Sequence, residues 1–286
     1  MMFNYEDAFS RNIGWVTEAE QQQLRSACIA IAGAGGVGSA HALTLARLGI
    51  GAFQLADFDK FDVHNFNRQA GAFMSTVGEP KVEVMGRMVN DINPEADVRL
   101  FTEGVNKDNV AAFLEGVDLY VDSLDFFALE ARKLIFSECE KRMIPAVTAA
   151  PLGMGSAFLA FIPGQGMTFE EYFRLDGLSE NDQLVRFLVG VAPTMWQRHY
   201  LVDPARADFQ GKKGPSTAMA VDFCAGVAAT NVLKIILKRG RVITAPRGIH
   251  YDAYLNRTKI TWRPWGNLNP IQQLAFRVAK SIVLGK

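Results

Sequence analysis

Short apolar runs alternate with amphipathic segments along the first half of the chain. The apolar runs predict buried strands, and the segments between them have the apolar spacing of helices. The predicted strands are residues 28–32, 52–56, 97–101, 117–122 and 144–148. The predicted helices between them are residues 39–48, 80–91, 108–115 and 127–141. Strands regularly separated by helices predict right-handed βαβ units and a parallel sheet.

The pattern changes after residue 150. The expected elements there are a strand at 156–162, a mixed region at 168–202, a polar loop at 203–216, a helix at 217–238, paired strands near 248–262 and a helix at 269–283. We therefore expect an α/β fold with a Rossmann-like, doubly wound sheet. The sheet is parallel in its first half and is extended by antiparallel strands and C-terminal helices.

A capped helix precedes the first strand. Residues 16–27 have Thr17 as N-cap and Glu20 three residues later, which is the spacing of a capping box. We divide the chain into an N-terminal helical arm at 1–27, a Rossmann-like region at 28–150 and a C-terminal region at 151–286. These regions are expected to form one continuous domain.

An uncharged stretch runs from Met143 to Phe169 and is long enough to cross a bilayer. It contains three prolines and a central glycine-containing turn, so two buried strands are the better prediction. The first thirty residues carry four acidic side chains before any apolar run, and no signal peptide is expected. The sequence thus predicts a cytoplasmic protein without a membrane segment.

Composition excludes several classes of protein. Of the 286 residues 49% are hydrophobic, which excludes disorder. Thirty basic residues balance thirty acidic ones, so there is no global positive field for DNA or an anionic membrane. Three separated cysteines, Cys28, Cys139 and Cys224, exclude a disulfide framework and a four-cysteine zinc site. We expect no zinc.

A glycine turn lies between the first strand and the first long helix. In Gly33-Ala-Gly-Gly-Val-Gly38, the glycines at 33, 35 and 38 have the spacing of a nucleotide-binding turn. The helix N-terminus that follows favours an anion. Asp57 ends the second strand, where an acid can bond ribose hydroxyls or simply be solvated. These features alone fit a dehydrogenase, a flavoprotein or any other nucleotide-binding protein.

The segments that begin at Asp57 indicate which class of nucleotide-binding protein this is. They are Asp57-Phe-Asp59, His64-Asn-Phe-Asn-Arg-Gln69, Gly78-Glu-Pro-Lys81 and Asp122-Ser-Leu-Asp125. A dehydrogenase has no need of the segment His64–Gln69, nor of a lysine that follows Gly78-Glu-Pro. Together the segments resemble the adenylyltransferases of the MoeB, ThiF and HesA family, relatives of the ubiquitin-activating enzymes. That family's motifs occur here in the right order over about residues 9–165.

The resemblance implies a role for each matching residue. Gly33, Gly35, Gly36 and Gly38 would form the turn beneath the ATP phosphates. Asp57 would bond the ribose, and Asp59 would order the loop. The residues that would face the phosphates are Asn65, Arg68 and Lys81, and Asp125 would hold Mg²⁺. Fixed cations and a metal suit a transition state in which negative charge grows on phosphate oxygens.

The same resemblance implies a shared active site. Ser10-Arg11-Asn12 is similar to the family's Tyr-x-Arg-Gln signature, whose arginine reaches the ATP of the other subunit. The apolar residues flanking Arg11 are Phe3, Phe9, Ile13 and Trp15. We expect this arm to pack on a second copy in a homodimer; the alternative is that these side chains close the core of their own subunit.

Departures from the family pattern bear on the chemistry. There is no Cys-x-x-Cys pair for structural zinc. Cys224 lies in an apolar helical pattern, which favours a buried structural thiol over a thioester-forming cysteine. Phe126 stands where the family usually has Asn, and His64 replaces Ser or Thr.

The expected activity is ATP-dependent adenylation of a carboxylate with release of pyrophosphate. The leading substrate is the C-terminal glycine of a ubiquitin-like or sulfur-carrier protein. Its tail would thread past residues 149–155 beneath loop 203–216; the alternatives are that residues 149–155 form a simple sheet-crossing turn and that the loop is merely solvated. The alternative within the fold is a small-molecule or tRNA carboxylate, as in the cyclic threonylcarbamoyladenosine dehydratase. Two other classes stay open: an NAD-dependent oxidoreductase and a non-catalytic scaffold.

Overall fold

One mixed sheet organises the computed structural model, which describes residues 2–208 and 211–283. Its described strands are β1 (Cys28–Ala32), β2 (Ala52–Ala56), β3 (Asp97–Phe101), β4 (Leu119–Asp122), β5 (Ala146–Leu152), β6 (Gly155–Phe161), β7 (Arg247–Asp252) and β8 (Arg257–Trp262). They lie in the order β3-β2-β1-β4-β5-β6-β7-β8. The first five are parallel and the last three run antiparallel to their neighbours. The predicted fold class is confirmed.

Ten α-helices connect and cover these strands within the described residues. They are α1 (Tyr5–Phe9), α2 (Glu18–Ser26), α3 (Gly36–Leu48), α4 (Lys81–Ile92), α5 (Val110–Phe113), α6 (Leu129–Lys141), α7 (Phe169–Phe173), α8 (Glu180–Val191), α9 (Ala218–Ile236) and α10 (Pro270–Val283). The predicted capping box of α2 is present, with Thr17 and Glu20 bonding each other's backbone. The mixed region at 168–202 contains α7 and α8.

Most boundaries differ from the sequence-based expectation by a few residues at most, and two of these differences affect the site. Helix α3 begins at Gly36 rather than at residue 39, because the glycines of the turn themselves adopt helical geometry. Strand β5 continues to Leu152, so the region boundary that we placed at residue 150 lies inside a strand. The turn that separates β5 from β6 comes only at residues 153–154.

The strands bury both faces of the sheet. In β1, Ile29 and Ile31 pack on one side of the sheet with residues of α3, α4 and α9. Ala30 and Ala32 face the other side, where α5, α6, α7 and α8 contribute the apolar cluster. This alternation follows from the two-residue period of a strand, and burial on both faces explains the continuous apolar runs.

The long uncharged stretch forms β5 and β6, which pair in antiparallel register from Ala146 opposite Phe161 to Leu152 opposite Gly155. This confirms two buried strands. Among the described residues one helix, α9, is apolar and long enough to cross a membrane by length and composition alone. It packs on α3, β5 and β6, which accounts for its apolar side chains.

Candidate nucleotide-binding site

The glycine turn joins the carboxyl end of β1 to α3, at the edge of the sheet where ligands of such folds bind. Gly33 has a φ of +93°, and a methyl group on it would lie 2.3 Å from the carbonyl oxygen of Ser123. A methyl group on Gly38 would lie 1.7 Å from the carbonyl oxygen of Gly33. Both positions therefore require glycine, and the turn is packed directly against the end of β4.

The N-terminus of α3 is open to an anion. Gly35 is its N-cap and supplies no side-chain acceptor, while the first N–H groups of a helix have no acceptor within the helix. The space beside Gly35 is also open, since a methyl group there would approach only the side chain of Gln69, at 3.7 Å. Uncapped N–H groups and a positive helix end form a cradle that fits the phosphates of ATP.

Asp57 connects the second strand to this turn. Its Oδ2 accepts the N–H of Ala34 at 2.6 Å, and its Oδ1 accepts the N–H of Asp59 at 2.7 Å. Burial raises the pKa of this carboxyl group above its usual value, and the two backbone N–H groups oppose that shift. Each carboxylate oxygen has a further lone pair, so Asp57 can still accept a ribose hydroxyl.

Lys81 brings a buried cation to the same edge. It is the first residue of α4 and is only 6% exposed. Its Nζ lies 3.1 Å from Oδ2 of Asp59, and its N–H donates to the carbonyl oxygen of Asp59 at 2.9 Å. Lys81 thus pairs with the carboxylate that we expected to order the loop, and its charge lies beside Asp57 as well.

Arg68 lies over the beginning of α3. Its Cγ would be 3.6 Å from a methyl group on Gly36. Its NH1 donates to the carbonyl oxygen of His64 at 3.2 Å and to Oδ1 of Asn67 at 2.8 Å. This places the stem of a half-buried arginine against the first turn of α3, from which its guanidinium group can reach an anion at the uncapped helix end.

Asn65 is buried and holds the backbone rather than facing solvent. Its Oδ1 accepts the N–H of Asp62 at 3.0 Å as part of a reciprocal cap. Gln69, the last residue of the same motif, was given no role from the sequence. The structure brings it against Gly35, and its buried Oε1 has no hydrogen-bond partner among the described residues.

The loop that carries Asp125 is held by an arginine that the sequence analysis missed. Buried Arg132 pairs with Asp122 through Nε at 2.8 Å. Its NH2 donates to the carbonyl oxygens of Leu124 and Asp125 at 2.8 and 3.1 Å. The only sequence signal was an arginine in the helix that follows the Asp-x-x-Asp motif, where it is the fourth residue of α6.

Asp125 itself is exposed, and its Oδ1 accepts the N–H of Phe127 at 2.9 Å. Across residues 2–208 and 211–283, no three His, Cys, Asp or Glu side chains cluster as a metal site. Mg²⁺ commonly binds through one or two carboxylates and completes its shell with nucleotide phosphates and water. A single exposed carboxylate beside a phosphate cradle fits that kind of site.

The structure places Arg11 away from the glycine turn of its own chain. The adjacent Asn12 donates to the carbonyl oxygen of Leu48, at the C-terminal end of α3. That helix has 13 residues and is therefore about 20 Å long, with the glycine turn at its other end. Exposed Arg11 thus cannot complete this site within one subunit.

The arm's apolar residues divide between two environments. Phe9 is buried in its own subunit and packs on Tyr5 with ring centroids 4.5 Å apart. Our expectation that Phe9 packs on a second copy is therefore wrong, because α1 docks on its own chain. Trp15 is 85% exposed and Ile13 is 42% exposed.

The three thiols lie in environments that disfavour the thiolate. Burial raises the pKa of Cys28 to about 11 and that of Cys224 to about 12, and it raises the pKa of buried Cys139 further. Cys224 also lies 3.2 Å from the hydroxyl of Ser156. A protonated, buried thiol is a poor nucleophile, which supports the interpretation of Cys224 as structural.

The β5–β6 turn holds both ends of the predicted cover loop. Tyr200 Oη accepts the N–H of Met154 at 2.9 Å and donates to Asp252 at 2.8 Å. The hydroxyl of Thr217 donates to the carbonyl oxygen of Gly153 at 3.4 Å. Loop 203–216 therefore begins and ends near this turn; Phe209 and Gln210 of the loop lie outside the described residues.

The loop also contacts the nucleotide side of the site. Asn67 Nδ2 donates to the carbonyl oxygen of Ser216 at 2.9 Å. Lys212 pairs with Glu180 at the start of α8 at 2.9 Å. The segment therefore connects the β5–β6 turn with the motif that carries Arg68.

Curated relatives share about a third of the aligned residues. The tRNA threonylcarbamoyladenosine dehydratase of Bacillus subtilis (strain 168) is 37% identical over 150 residues, 52% of this chain and 57% of that protein. The Escherichia coli (strain K12) protein of the same name is 38% identical over 137 residues, 48% of this chain and 50% of that protein. The vegetative HesA protein of Trichormus variabilis is 33% identical over 144 residues, 50% of this chain and 54% of that protein. The alignments thus span about half of each relative.

Solved structures share the fold over most of the chain. E. coli TcdA, a tRNA N6-threonylcarbamoyladenosine dehydratase, is 25% identical with a TM-score of 0.60, covering 82% of this chain and 95% of that one. PaaA has a TM-score of 0.68 at 18% identity, and the match covers 92% of this chain and 74% of that one. E. coli MccB solved with ATP has a TM-score of 0.66 at 21% identity, and the match covers 91% of this chain and 73% of that one. The last two show likeness of fold alone.

A sequence model of the ThiF family matches residues 9–265. That range starts before the arm's arginine and ends after β8, so it contains all of the strands described above. Because the match runs through the whole sheet and the loops at its carboxyl edge, the chain belongs to the ThiF family.

Proposed function

We propose that this protein is an ATP-dependent adenylyltransferase that converts a carboxylate into an acyl-adenylate. The observation that carries the proposal is the uncapped N-terminus of α3, with Arg68 over it and Asp57 bonded to the turn. Lys81 approaches the same edge through Asp59. A helix end, two cations and a ribose-binding acid suit a nucleoside triphosphate better than an uncharged ligand.

In the proposed reaction a carboxylate oxygen attacks the α-phosphorus of ATP. The new bond is P–O to the acyl group, and the bond that breaks joins the α-phosphorus to the oxygen bridging to the β-phosphorus. That oxygen leaves with pyrophosphate. Negative charge grows on the phosphate oxygens, and the N–H groups of α3 with Arg68 and Lys81 stabilise it. Mg²⁺ held by Asp125 would neutralise part of the pyrophosphate charge.

The Lys81–Asp59 pair suggests how the charged lysine is stabilised before ATP binds. Asp59 is exposed while Lys81 is buried, so water can solvate the carboxylate when the lysine turns towards phosphate. A buried lysine without a partner would be costly, and Asp59 provides that partner before ATP binds. We therefore assign Asp59 the role of holding Lys81 in place.

Two classes of carboxylate are candidates for the acyl substrate. The leading one is the C-terminal glycine of a small ubiquitin-like or sulfur-carrier protein, a narrow tail that suits a channel between the β5–β6 turn and loop 203–216. The second is the carboxylate of threonylcarbamoyladenosine in tRNA. The observation that favours it is that relatives 37% and 38% identical carry the name of that dehydratase.

ATP–pyrophosphate exchange tests the activity and separates these substrates. We expect exchange that depends on one of two additions: a carrier protein ending in Gly-Gly, or tRNA bearing threonylcarbamoyladenosine. Arg68→Ala and Asp125→Ala should abolish it, whereas Arg47→Ala, an exposed arginine near the other end of α3, should not. Tight NAD binding without ATP binding would instead identify an oxidoreductase, and no nucleotide binding would identify a scaffold.

We further propose that the protein acts as a homodimer in the cytoplasm. One twenty-residue segment beside the site exposes large apolar side chains: Phe58, Val63, Phe66, Phe73, Met74 and Val77. So many exposed apolar residues in one segment are typical of an interface. A second copy in a two-fold arrangement would cover them and bring its Arg11 to this site. The three free thiols suit a reducing compartment.

A further inference from the structure

A fully buried histidine lies directly behind the glycine turn. His41 is on α3, one turn after Gly38, and its Nδ1 lies 2.9 Å from the hydroxyl of Ser123. Its Nε2 is also buried and has no hydrogen-bond partner of good geometry among the described residues, although the backbone of Cys224 lies close to the ring. An orphaned polar atom is costly in a core, where leucine would pack without that penalty. The histidine therefore needs an explanation beyond packing.

Ser123, the partner of His41, touches both ends of the turn. Its carbonyl oxygen lies against Gly33, and its Cβ would be 3.1 Å from a methyl group on Gly38. Its N–H donates to the carbonyl oxygen of Ala32 at 3.2 Å. Ser123 is also two residues before Asp125. A shift of this residue would therefore move the phosphate cradle and the Asp125 loop relative to each other.

The bond between His41 and Ser123 ties α3 to the end of β4. Burial lowers the pKa of His41 to about 4, so the ring is neutral at physiological pH. The nearby backbone of Cys224 opposes that shift but does not cancel it. A neutral ring can share one hydrogen with the serine hydroxyl without placing a charge in the core.

We infer that His41 is a positioning residue for ATP, which acts through Ser123 to hold the glycine turn in register with the Asp125 loop. The inference rests on the proposed ATP site but adds a residue that does not touch the nucleotide. It also gives a reason for the unpaired Nε2. The bond from Nδ1 to Ser123 needs an imidazole ring, and every imidazole ring carries the second nitrogen.

His41→Leu separates positioning from packing. Leucine removes the orphaned atom but leaves the buried Ser123 hydroxyl without its partner, and because these two effects on stability oppose each other the melting temperature should change little. Its Kd for ATP, measured by calorimetry, should rise about five- to tenfold, the effect expected for one lost neutral hydrogen bond. The KM for ATP should rise likewise in the exchange assay, while the KM for the carboxyl substrate stays unchanged.

Two matched variants complete the test. His41→Asn places an amide where Nδ1 was and should restore ATP affinity to within about twofold of wild type. Cys224→Ala removes a buried neighbour on α9 that bonds Ser156 rather than Ser123, so it should lower the melting temperature and leave ATP affinity unchanged.

A double-mutant cycle shows whether His41 acts through Ser123. Ser123→Ala should weaken ATP binding as much as His41→Leu, and the double variant should be no weaker than either. Additive losses, or a stable His41→Leu protein that binds ATP like the wild type, would overturn the inference while leaving the proposed function intact. A wild-type protein that binds no ATP would instead refute the proposed function.

Discussion

Lys81 is the buried cation of the site, and its partner Asp59 is exposed. Lys81→Met keeps the apolar stem and removes only the charge. Without that charge the negative oxygens of the transition state lose one stabilising group, and we expect substrate-dependent exchange to fall about 100-fold with little change in folding. Exchange rates and melting temperature measure the two effects.

The matched control for this variant is Lys60→Met. Lys60 is an exposed lysine next to Asp59 in the segment before α4, so its loss should leave the exchange rate within about twofold of wild type. Equal rates in the two variants would mean that the buried position of Lys81 has no catalytic consequence.

His41 makes a pH-dependent contribution to stability. Its pKa is lowered from 6.5 to about 4 in the folded protein, so between these values the unfolded chain binds the additional proton. The free energy of unfolding should therefore fall as the pH drops below 6.5, by about 2 kcal/mol at pH 5 from this residue. Above about pH 7.5 the contribution is constant.

Urea unfolding at pH 8 and pH 5 checks this. His41→Leu should lose about 2 kcal/mol less than the wild type between the two pH values. His250, whose pKa is also lowered by burial, contributes with the same sign to both proteins and cancels. An identical loss in the variant would show that His41 is not held neutral in the fold.

At the scale of the elements, the junction of β1 and α3 is the tightest part of the site. Gly38→Ala would force a methyl group against the backbone of Gly33, where no flexible side chain can yield. We expect a loss of about 2–3 kcal/mol in unfolding free energy and loss of ATP binding. Denaturant titration and nucleotide binding measure both.

Gly226→Ala is the matched substitution on α9. A methyl group there meets nothing within 4 Å on an exposed face of the helix. Alanine should stabilise the protein by about 0.5–1 kcal/mol and leave ATP binding unchanged. Normal ATP binding by Gly38→Ala would contradict the close packing that we assign to the turn.

At the scale of the whole molecule, the distance between Arg11 and its own glycine turn predicts composite sites. In a dimer, the Arg11→Ala and Asp125→Ala subunits should each be inactive alone. After mixing and subunit exchange, one site of each heterodimer combines an intact Asp125 with the intact Arg11 of the other chain. We expect part of the ATP–pyrophosphate exchange activity to return.

The control mixture pairs Arg68→Ala with Asp125→Ala. Both residues belong to the same subunit's site, so every site in that heterodimer lacks one of them and no activity should return. If subunit exchange is confirmed and the first mixture stays inactive, the shared site is wrong. Sedimentation of the active enzyme as a monomer would lead to the same conclusion.

Much of the fold could be predicted because its signals are local. Strands β1, β2 and β3 occupy the residues expected from their apolar runs, and the capping box of α2 needs only residues three apart. The glycine turn was also predictable, since its spacing reflects contacts within one βα unit. The start of α3 was missed because glycine has no side-chain pattern from which a helix can be predicted.

The contacts that organise the site were decided only by the tertiary structure. The motif pointed to Lys81, but not to its pairing with Asp59, and Arg132 carried no chemical signal on its own. His41 and Ser123 lie 82 residues apart and meet only because β1 and β4 are neighbours in the sheet. The sequence by itself determined which residues could bind a nucleotide, because spacing within a motif is local. Strand order decided which side chains support them, because it brings distant segments to one edge of the sheet.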